Sequence, residues 1–347
     1  MTSLANIPAW AQAPTVPSPF VADLFRYLDL GKRQRQVLQR RAGIMPASLE
    51  DSAYRFTPQH FGRALRKVVA STGDEAFGLF ARPVPVGAYG RLLRLLAHCP
   101  DLGAALNEAA GFYQLFDDRP PWRCIATSKA VEIRLTPRDE RQAGSLLYTH
   151  MALLTLWHTA NWLAGTVLAL RRVTLPESFR AFAPESRFLF GRAPHYGDTA
   201  SLLFPTGALN VAIVQPVEET GVFLRQALFG LIGPGPQGSL ESRLRALLAA
   251  SRPFADMKEA AAAQALGLSR QTLAKRLAAL DTSFLDIRDE MRRDRACAML
   301  TRSDIGFAEI AEALSYSEPS AFQRAFKQWT GMPPGEYRKR HRVLNRT

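Results

Sequence analysis

The stretch from residue 305 to residue 337 constrains the fold most, because its pattern predicts two short helices joined by a three-residue turn. The turn, Ser-Tyr-Ser at 315–317, closes on a serine that suits a helix N-cap, Ser317. Pro319 falls in the first turn of the second helix, where its missing N–H has no intrahelical acceptor to lose. Gly331, with prolines just beyond it, ends that helix.

The second helix of this stretch has one apolar and one basic side. Its apolar residues recur at helical spacing and are Phe322, Ala325, Phe326 and Trp329. The opposite side carries Ser320, Arg324 and Lys327. A helix of this kind, braced by a short helix across a tight turn, fits the major groove of DNA. An ordinary amphipathic helical hairpin with a solvated basic face is the alternative.

An internal repeat favours the groove-binding interpretation. AAQALGLS at 262–269 aligns with IAEALSYS at 310–317, and beyond the turn the apolar positions and one basic position also correspond. The basic pair is Lys275 and Arg324. Residues 287–300 between the copies predict a helix that holds them apart. Two recognition helices on one rigid body could enter successive major-groove segments about 34 Å apart.

These motifs resemble the AraC/XylS family of bacterial transcription regulators. RRDRACAML resembles the family's linker-helix signature, and EIAEALSYSEPSAFQRAFKQWTGMPPGEYR resembles the signature of its second helix-turn-helix. The resemblance covers residues 239–340. It implies an all-α DNA-binding domain over 239–347, with units at about 258–280 and 307–330 joined by a helix. The partner implied is double-stranded promoter or operator DNA, with RNA polymerase as a further partner if the protein activates.

The resemblance also implies which residues meet DNA. Base-contacting positions would be Gln271, Ala274 and Lys275 in the first recognition helix, and Pro319, Ser320 and Arg324 in the second. Phosphate contacts are expected from Ser269, Arg276, Ser317, Lys327, Arg338, Lys339 and Arg340. Ser315 stands where the family usually has glycine, which predicts strain in the second turn. Ala274 can offer only apolar contact with a thymine methyl group.

The charge distribution agrees with an acidic polymer as partner. The formal net charge is +13, and after residue 240 there are 19 basic and 13 acidic side chains. Charge density is therefore roughly twice as high in the last third of the chain as before it. A basic membrane-binding surface is a weaker alternative, because no lipid-anchor motif or basic amphipathic helix stands out.

The first 240 residues predict an α+β domain preceded by an arm and followed by a linker. We expect a loose arm over 1–19, the domain over 20–229 and a Gly/Pro linker over 230–238. Within the domain, helices are expected at 57–70, 101–116 and 145–163, and strands at 122–127, 130–136, 167–175, 201–204 and 209–214. Asp101 is expected to cap the second of these helices. The predicted fold class is mainly α, with a small sheet packed on one buried helix.

Two pieces of this domain weakly resemble the sensor domain that precedes the DNA-binding part in one branch of the family. They are YGRLLRLLAHCPDLGAALNEAAGFYQLF and FLFGRAPHYGDTASLLFPTGALN. The resemblance implies that the domain binds a small effector or forms a homodimer. Candidate effector-binding residues are Trp122, Tyr148, Trp157, His158 and Trp162. Simple core aromatics are the alternative.

The remaining motifs argue against other classes of protein. The three cysteines share no disulfide or metal spacing. His150 and His158 lie too far apart on one helix to share a zinc ion. No cofactor motif is convincing. We therefore expect no metal, no cofactor, no membrane segment and a cytoplasmic, nucleoid-associated regulator that is not an enzyme. Two rivals stay open. One is an alkylation-repair protein using a thiolate such as Cys99 beside His98, and the other is an architectural protein without sequence preference.

Overall fold

The chain forms two compact units. In the computed structural model the described residues are 16–26, 28, 30–51, 54–224, 240–251, 253, 255–302 and 305–342. One unit, here called the sheet unit, comprises Pro19–Gly43 and Gly62–Ile232, and the other, the helical unit, comprises Met1–Ser18, Ile44–Phe61 and Gly233–Thr347. The predicted linker at 230–238 lies outside the described residues.

The first part of the chain is helical, as its apolar spacing predicted. Its helices are α1 (Ser18–Arg26), α2 (Lys32–Arg41), α3 (Pro46–Glu50), α4 (Pro58–Thr72), α5 (Ala88–Leu96) and α6 (Leu102–Gln114), with short strands β1 (Val16–Pro17) and β2 (Arg55–Phe56). The predicted cap of α6 is confirmed, because the carboxylate of Asp101 accepts a hydrogen bond from the backbone N–H of Ala104 at 2.8 Å.

A five-stranded sheet follows. Its strands are β3 (Trp122–Ala126), β4 (Ala130–Leu135), β5 (Arg172–Pro176), β6 (His195–Gly197) and β7 (Ser201–Pro205), and the helices among them are α7 (Glu140–Ala143), α8 (Leu146–Ala164) and α9 (Ala183–Phe190). The strand order is β3-β4-β7-β5-β6, and all neighbours are antiparallel except β5 and β6. The strands expected at 122–127 and 130–136 are confirmed, since β3 pairs with β4 and the alternate residues Val131, Ile133 and Leu135 are buried.

Two strand predictions were wrong in part or in whole. The strand expected over 167–175 begins only at Arg172. Residues 206–210 form a 3-10 helix where a strand was expected over 209–214, and Ala212 makes one isolated bridge to Asp101. The three-residue strand β6 was missed, because its sequence, His-Tyr-Gly, is too short to show alternation.

Helix α8 is the buried helix that the uncharged run after residue 145 predicted. The Ser145 hydroxyl accepts a hydrogen bond from the Tyr148 N–H at 3.1 Å and caps its start, and Gly165 ends it with φ +63°. The Ser145 hydroxyl also donates to the buried carboxylate of Asp23 on α1, at 2.9 Å. In the described part of the chain, no helix has the length and apolar character needed to cross a bilayer.

The helical unit has two hydrophobic cores that share one long helix. Its helices are α10 (Leu240–Ala250), α11 (Glu259–Ala265), α12 (Arg270–Ala278), α13 (Phe284–Arg302), α14 (Phe307–Ala313), α15 (Pro319–Thr330) and α16 (Pro334–Arg342). Phe284 and Ile287 from the start of α13 lie in the first core, with α10, α11 and α12. Cys297 and Leu300 from its end lie in the second, with α14, α15 and α16. The predicted linker helix therefore contributes to both cores.

An N-terminal segment also belongs to the helical unit. Strand β1 pairs with β2, and the Ser18 N–H donates to the Tyr54 carbonyl at 2.9 Å, so the predicted arm is part of the fold from Val16 onward. The buried carboxylate of Asp51 lies 3.3 Å from the guanidinium of Arg340 on α16. The unit that contains the two predicted helix-turn-helix motifs is thus built from separate stretches of the chain, unlike the continuous domain expected over 239–347.

Candidate nucleic-acid interface and ligand cavity

Helix α12 presents the predicted residues of the first recognition helix on one exposed face. Leu273 and Leu277 are fully buried, whereas Gln271, Ala274 and Lys275 are exposed. The Ser269 hydroxyl caps the helix by accepting from the Thr272 N–H at 3.1 Å. The cap fixes where the helix begins and therefore which residues face outward.

Helix α15 repeats this arrangement in the second motif. Phe322 and Phe326 are fully buried, with ring centroids 5.8 Å apart, while Ser320, Arg324 and Lys327 are exposed. Pro319 occupies the first helical position, and Gly331 ends the helix with φ +78°, as predicted. Neither α12 nor α15 contains an acidic residue, so both faces suit an anionic surface.

The structure adds one residue to the second face and corrects another. Gln323 is exposed three positions after Ser320, and its amide could hydrogen-bond an adenine edge. Ser317 is not the N-cap of α15. That position is Glu318, which has extended backbone and makes no side-chain cap. The Ser320 hydroxyl instead donates to the Glu318 carboxylate at 3.0 Å. The helical spacing that placed Ser320 and Arg324 would also have identified Gln323.

The two turns have left-handed backbone at equivalent positions. Gly267 in the first turn has φ +71°, and Ser315 in the second has φ +61°. Serine occupies this region less readily than glycine because its Cβ crowds the backbone. The strain predicted from Ser315 is therefore confirmed as a positive φ at a non-glycine residue.

The basic residues of α16 are in part engaged within the helical unit. The Arg338 guanidinium donates to the Ile305 carbonyl at 2.6 Å and lies 4.7 Å from the ring centroid of Phe307. Arg340 is paired with Asp51, as described above. Lys339 is exposed. Of these three predicted phosphate contacts, Lys339 is thus the most accessible for an outside anion.

Two arginines that the sequence did not single out hold the motifs in place. Arg245 on α10 bonds Glu241 at 2.8 Å and also contacts Glu290 on α13. Burial opposes the charge on Arg245, but the two glutamates outweigh burial and raise its pKa overall. Buried Arg292 on α13 donates to the Ala255 carbonyl at 3.4 Å.

Arg292 also joins the two motifs. Its guanidinium carbon lies 5.2 Å from the ring centroid of Tyr316, which belongs to the turn of the second motif. Its other contact, Ala255, lies just before the first motif. One side chain near the middle of α13 therefore touches both halves of the helical unit.

The sheet unit encloses a cavity of about 350 Å³ between its sheet and its helices. Strands β3, β4 and β7 form one side, helices α5, α6 and α8 form the other, and residues 75–84 close one edge. The cavity-facing residues of α8 recur every three to four positions and are Met151, Ala152, Thr155, Leu156, Thr159, Ala160 and Leu163. The volume falls at the small end of the range for ligand-binding pockets.

Two carboxylates shape the closing loop. Asp74 accepts hydrogen bonds from the N–H groups of Ala76 at 2.9 Å and Gly78 at 2.7 Å. Glu75 accepts from the N–H of Gly87 at 2.8 Å and also from that of Tyr89. Phe77, between the two carboxylate-bound residues, has φ +57° and lines the cavity. A strained aromatic residue in the wall indicates that surrounding contacts hold the wall in this shape.

Two of the five predicted effector residues line this cavity. Trp122 and Tyr148 do so, with Trp122 on β3 and Tyr148 on α8. Trp157, His158 and Trp162 are absent from its lining; Trp157 packs on Phe190 and Trp162 stacks on Phe223 with centroids 4.7 Å apart. Aromatic character alone does not reveal which side of a buried helix faces a cavity.

The two histidines of α8 are uncharged core residues at neutral pH. His150 Nδ1 donates to the Leu146 carbonyl at 2.9 Å, and its Nε2 therefore accepts from the Ser186 hydroxyl at 2.9 Å. Burial lowers the pKa of His150 to about 4, against a smaller opposing effect of the Leu146 carbonyl and Glu185. Burial likewise lowers the pKa of His158 to about 4.

Comparison with known proteins agrees with these two halves. The family described as the arabinose-binding domain of AraC transcription regulators, N-terminal, matches residues 33–212, and a helix-turn-helix domain family matches residues 262–340. The ornithine utilization regulator of Pseudomonas aeruginosa is 28% identical over 316 residues, which are 88% of this chain and 91% of that protein. The regulator VqsM of the same species is 30% identical over 147 residues, 42% of this chain and 45% of its own length.

A solved structure, the transcriptional regulator CdpR from Pseudomonas aeruginosa, covers 92% of this chain and 96% of its own at 20% identity. Its TM-score is 0.29, so it carries no argument about the fold. The family match spans more than half of the chain, and the chain therefore belongs to the AraC family of transcription regulators. It is a sequence-specific DNA-binding regulator with an arabinose-binding-like N-terminal domain.

Proposed function

We propose that this regulator reads two half-sites on one face of DNA with α12 and α15, and that a small effector bound in the sheet unit controls this reading. One observation carries the first part. The two helices each bury two apolar residues and expose a polar face at equivalent positions of a repeated motif. Base readout falls to Gln271 and Lys275 in one half-site and to Ser320 and Arg324 in the other, with Ala274 and Pro319 in apolar contact.

Phosphate binding in this proposal comes from exposed residues around the two faces. Ser269, Arg276, Ser317, Lys327 and Lys339 are exposed in the structure. We infer that they contribute salt-dependent affinity without reading sequence. Arg338 and Arg340 contribute less, because Arg338 bonds Ile305 and Arg340 pairs with Asp51.

The cavity of the sheet unit is the proposed effector site. Its apolar lining supports ligand binding, and its loop is held by the carboxylates of Asp74 and Glu75. The effector would act by binding one of two protein states more tightly than the other. Homodimerisation, contact with RNA polymerase and a cytoplasmic location are further parts of the proposal.

The chemistry of the thiols supports a protein that is not an alkyl-transfer enzyme. Burial raises the pKa of Cys99, and Glu108 and Asp101 add to the effect. His98 does not activate it, because its Nδ1 bonds the Arg94 carbonyl at 2.8 Å. Burial raises the pKa of Cys297 to about 11. A thiol with a raised pKa is a poor nucleophile at neutral pH.

Selection of duplexes from a random library by the full-length protein, at physiological salt, tests the DNA-binding proposal. We expect a motif with two half-sites whose centres lie about one helical turn apart. Gln271→Ala should relax preference within one half-site only, because its amide belongs to α12. Enrichment without any shared motif would overturn the proposal in favour of charge-driven binding.

A matched control separates base readout from general effects of the substitution. Gln264 is an exposed glutamine on α11, outside the recognition helices. Gln264→Ala should leave the selected motif unchanged in both half-sites. The full chain is the right material, because residues 44–61 belong to the helical unit and a fragment beginning at residue 239 lacks them.

A further inference from the structure

The lining of the cavity has an unusual charge composition. Among the described residues that line it there is no lysine, arginine or histidine, and Glu75 is the one residue with a carboxylate. The other polar groups are hydroxyls and one indole, on Tyr89, Tyr113, Trp122, Tyr148, Thr155 and Thr159. All remaining lining residues are apolar.

This composition disfavours a negatively charged ligand. A carboxylate or phosphate moved from water into the cavity would lose its hydration and find no cation among the described lining residues. The N–H groups of Gly87 and Tyr89 hold the carboxylate of Glu75 in place. This carboxylate would repel a ligand of like charge. An alcohol, a phenol or an aromatic amine is uncharged at neutral pH and faces neither cost.

Aromatic rings and one hydroxyl pair line the cavity. Phe80 and Tyr113 stack with centroids 5.1 Å apart, and Tyr113 meets Trp122 edge to face at 6.0 Å. The Tyr89 and Thr159 hydroxyls lie 2.7 Å apart, and because one donates to the other, the pair keeps a proton and lone pairs for a further partner. Flat ring surfaces beside such a pair suit a ring compound with one polar group.

We propose that the effector of this regulator is a non-anionic ring compound with a single hydrogen-bonding hydroxyl or amino group, held in this cavity with that group at Tyr89 and Thr159. The inference rests on the proposed effector site and specifies its ligand class. The aromatic walls hold the ring, the hydroxyl pair orients the polar group, and the absence of a cation excludes acids of the same shape.

Calorimetric titration of the full-length protein with 2-naphthol and 2-naphthoate tests the proposal. The two probes share one ring system and differ in the charge of the polar group. We expect 2-naphthol to bind at least about tenfold more tightly, since the carboxylate would be buried without a counter-ion. Equal or tighter binding of 2-naphthoate, or no binding of 2-naphthol, would overturn it.

Two variants locate the binding. Ala160→Leu fills the cavity from α8 and should abolish 2-naphthol binding, whereas Ala126→Leu, the same change at an exposed strand position, should leave it intact. Thr159→Val keeps the shape and removes one hydroxyl. It should weaken the binding of 2-naphthol several-fold, as expected for the loss of about one hydrogen bond. The binding of naphthalene should be unchanged. Equal effects of Ala160→Leu and Ala126→Leu would contradict the assigned site.

Ligand binding in the cavity and DNA binding by the helical unit are measured independently. Binding of 2-naphthol that is lost in Ala160→Leu establishes the cavity as a site for this class, whatever happens to DNA affinity. If the same ligand leaves operator affinity unchanged, then the proposed effector control fails while the ligand class stands. Loss of sequence preference in the duplex selection, with naphthol binding intact, would instead overturn the DNA-reading proposal.

Discussion

Arg324 is a side chain of α15 that we propose reads a base. The neighbours Phe322 and Phe326 are buried on the core side of α15, so the position of Arg324 on the outer face is fixed by packing. Among the described residues it makes no ion pair, and its guanidinium is therefore available to an outside acceptor. A guanidinium presented this way can bond the O6 and N7 atoms of a guanine together.

Replacing Arg324 by alanine should remove this contact and little else. We expect a loss of about 1–3 kcal/mol on the preferred duplex and relaxed preference at one base pair. Fluorescence anisotropy with duplexes carrying each of the four base pairs at that position measures both effects. Lys339→Ala is the control, because a phosphate contact should weaken all four duplexes alike. A uniform loss in Arg324→Ala would reassign Arg324 to the phosphate backbone.

The two histidines of α8 predict lower stability in acid. His150 and His158 have a pKa of about 4 when folded, against 6.5 for an unperturbed histidine. Above pH 6.5 neither the folded nor the unfolded state is protonated at these rings. As pH falls from 6.5 towards 4, the unfolded state takes up protons that the folded state refuses, so stability is lost in this window.

His158→Leu should reduce this loss. By pH 5 each such histidine removes on the order of 2 kcal/mol from the free energy of unfolding. In the described part of the chain, His158 Nε2 has no hydrogen-bond partner, so the replacement by leucine removes no hydrogen bond from this atom. Urea unfolding at pH 7.5 and pH 5.0 measures the difference, and His195→Gln, at an exposed histidine of β6, is the control. An unchanged pH response in His158→Leu would contradict the assignment.

At the scale of elements, the paired turns allow a reciprocal experiment. Gly267→Ser places a Cβ where nothing lies within 4 Å, so its cost is that of the positive φ alone, about 1 kcal/mol. Ser315→Gly should stabilise the second turn by up to about the same amount. Urea unfolding of the full-length variants, followed by circular dichroism, measures both. Changes of the same sign at the two turns would show that another interaction dominates at one of them.

Local chemistry explains which elements the sequence could predict. The caps and breakers of α6, α8 and α15 and the alternation of β4 depend on neighbours in the chain, and they were found. The N-cap at Ser317 failed because Pro319 at the first helical position moves the cap to Glu318. Gln323 follows from the same local helical spacing that placed Ser320 and Arg324. The cavity face of α8, in contrast, depends on which side of that helix packs against distant residues.

Non-local packing explains what the sequence could not predict. The pairing of β1 with β2 and the contact of Asp51 with Arg340 join residues far apart in the chain. The membership of residues 44–61 in the helical unit follows from such contacts and from no local pattern. The same holds for Arg292. In the sequence it looks like another basic residue on a solvated helix, but in the structure it is buried.

At the scale of the whole helical unit, the long helix α13 joins the two motifs whose helices α12 and α15 we propose read DNA. It has 19 residues and therefore spans roughly 28 Å. Its two ends are embedded in different cores, and Arg292 near its middle contacts both Ala255 and Tyr316. These contacts favour two recognition helices that move as one body rather than as two tethered motifs.

A rigid spacing predicts a strict requirement on the DNA. Inserting 5 base pairs between the half-sites turns one of them to the opposite face of the duplex, and affinity should fall to that of a single half-site. Inserting 10 base pairs restores the face but moves the half-site by about 34 Å, and a rigid body cannot follow it. Anisotropy with the three duplexes measures this. Recovery of affinity at 10 base pairs would mean that α13 acts as a flexible tether.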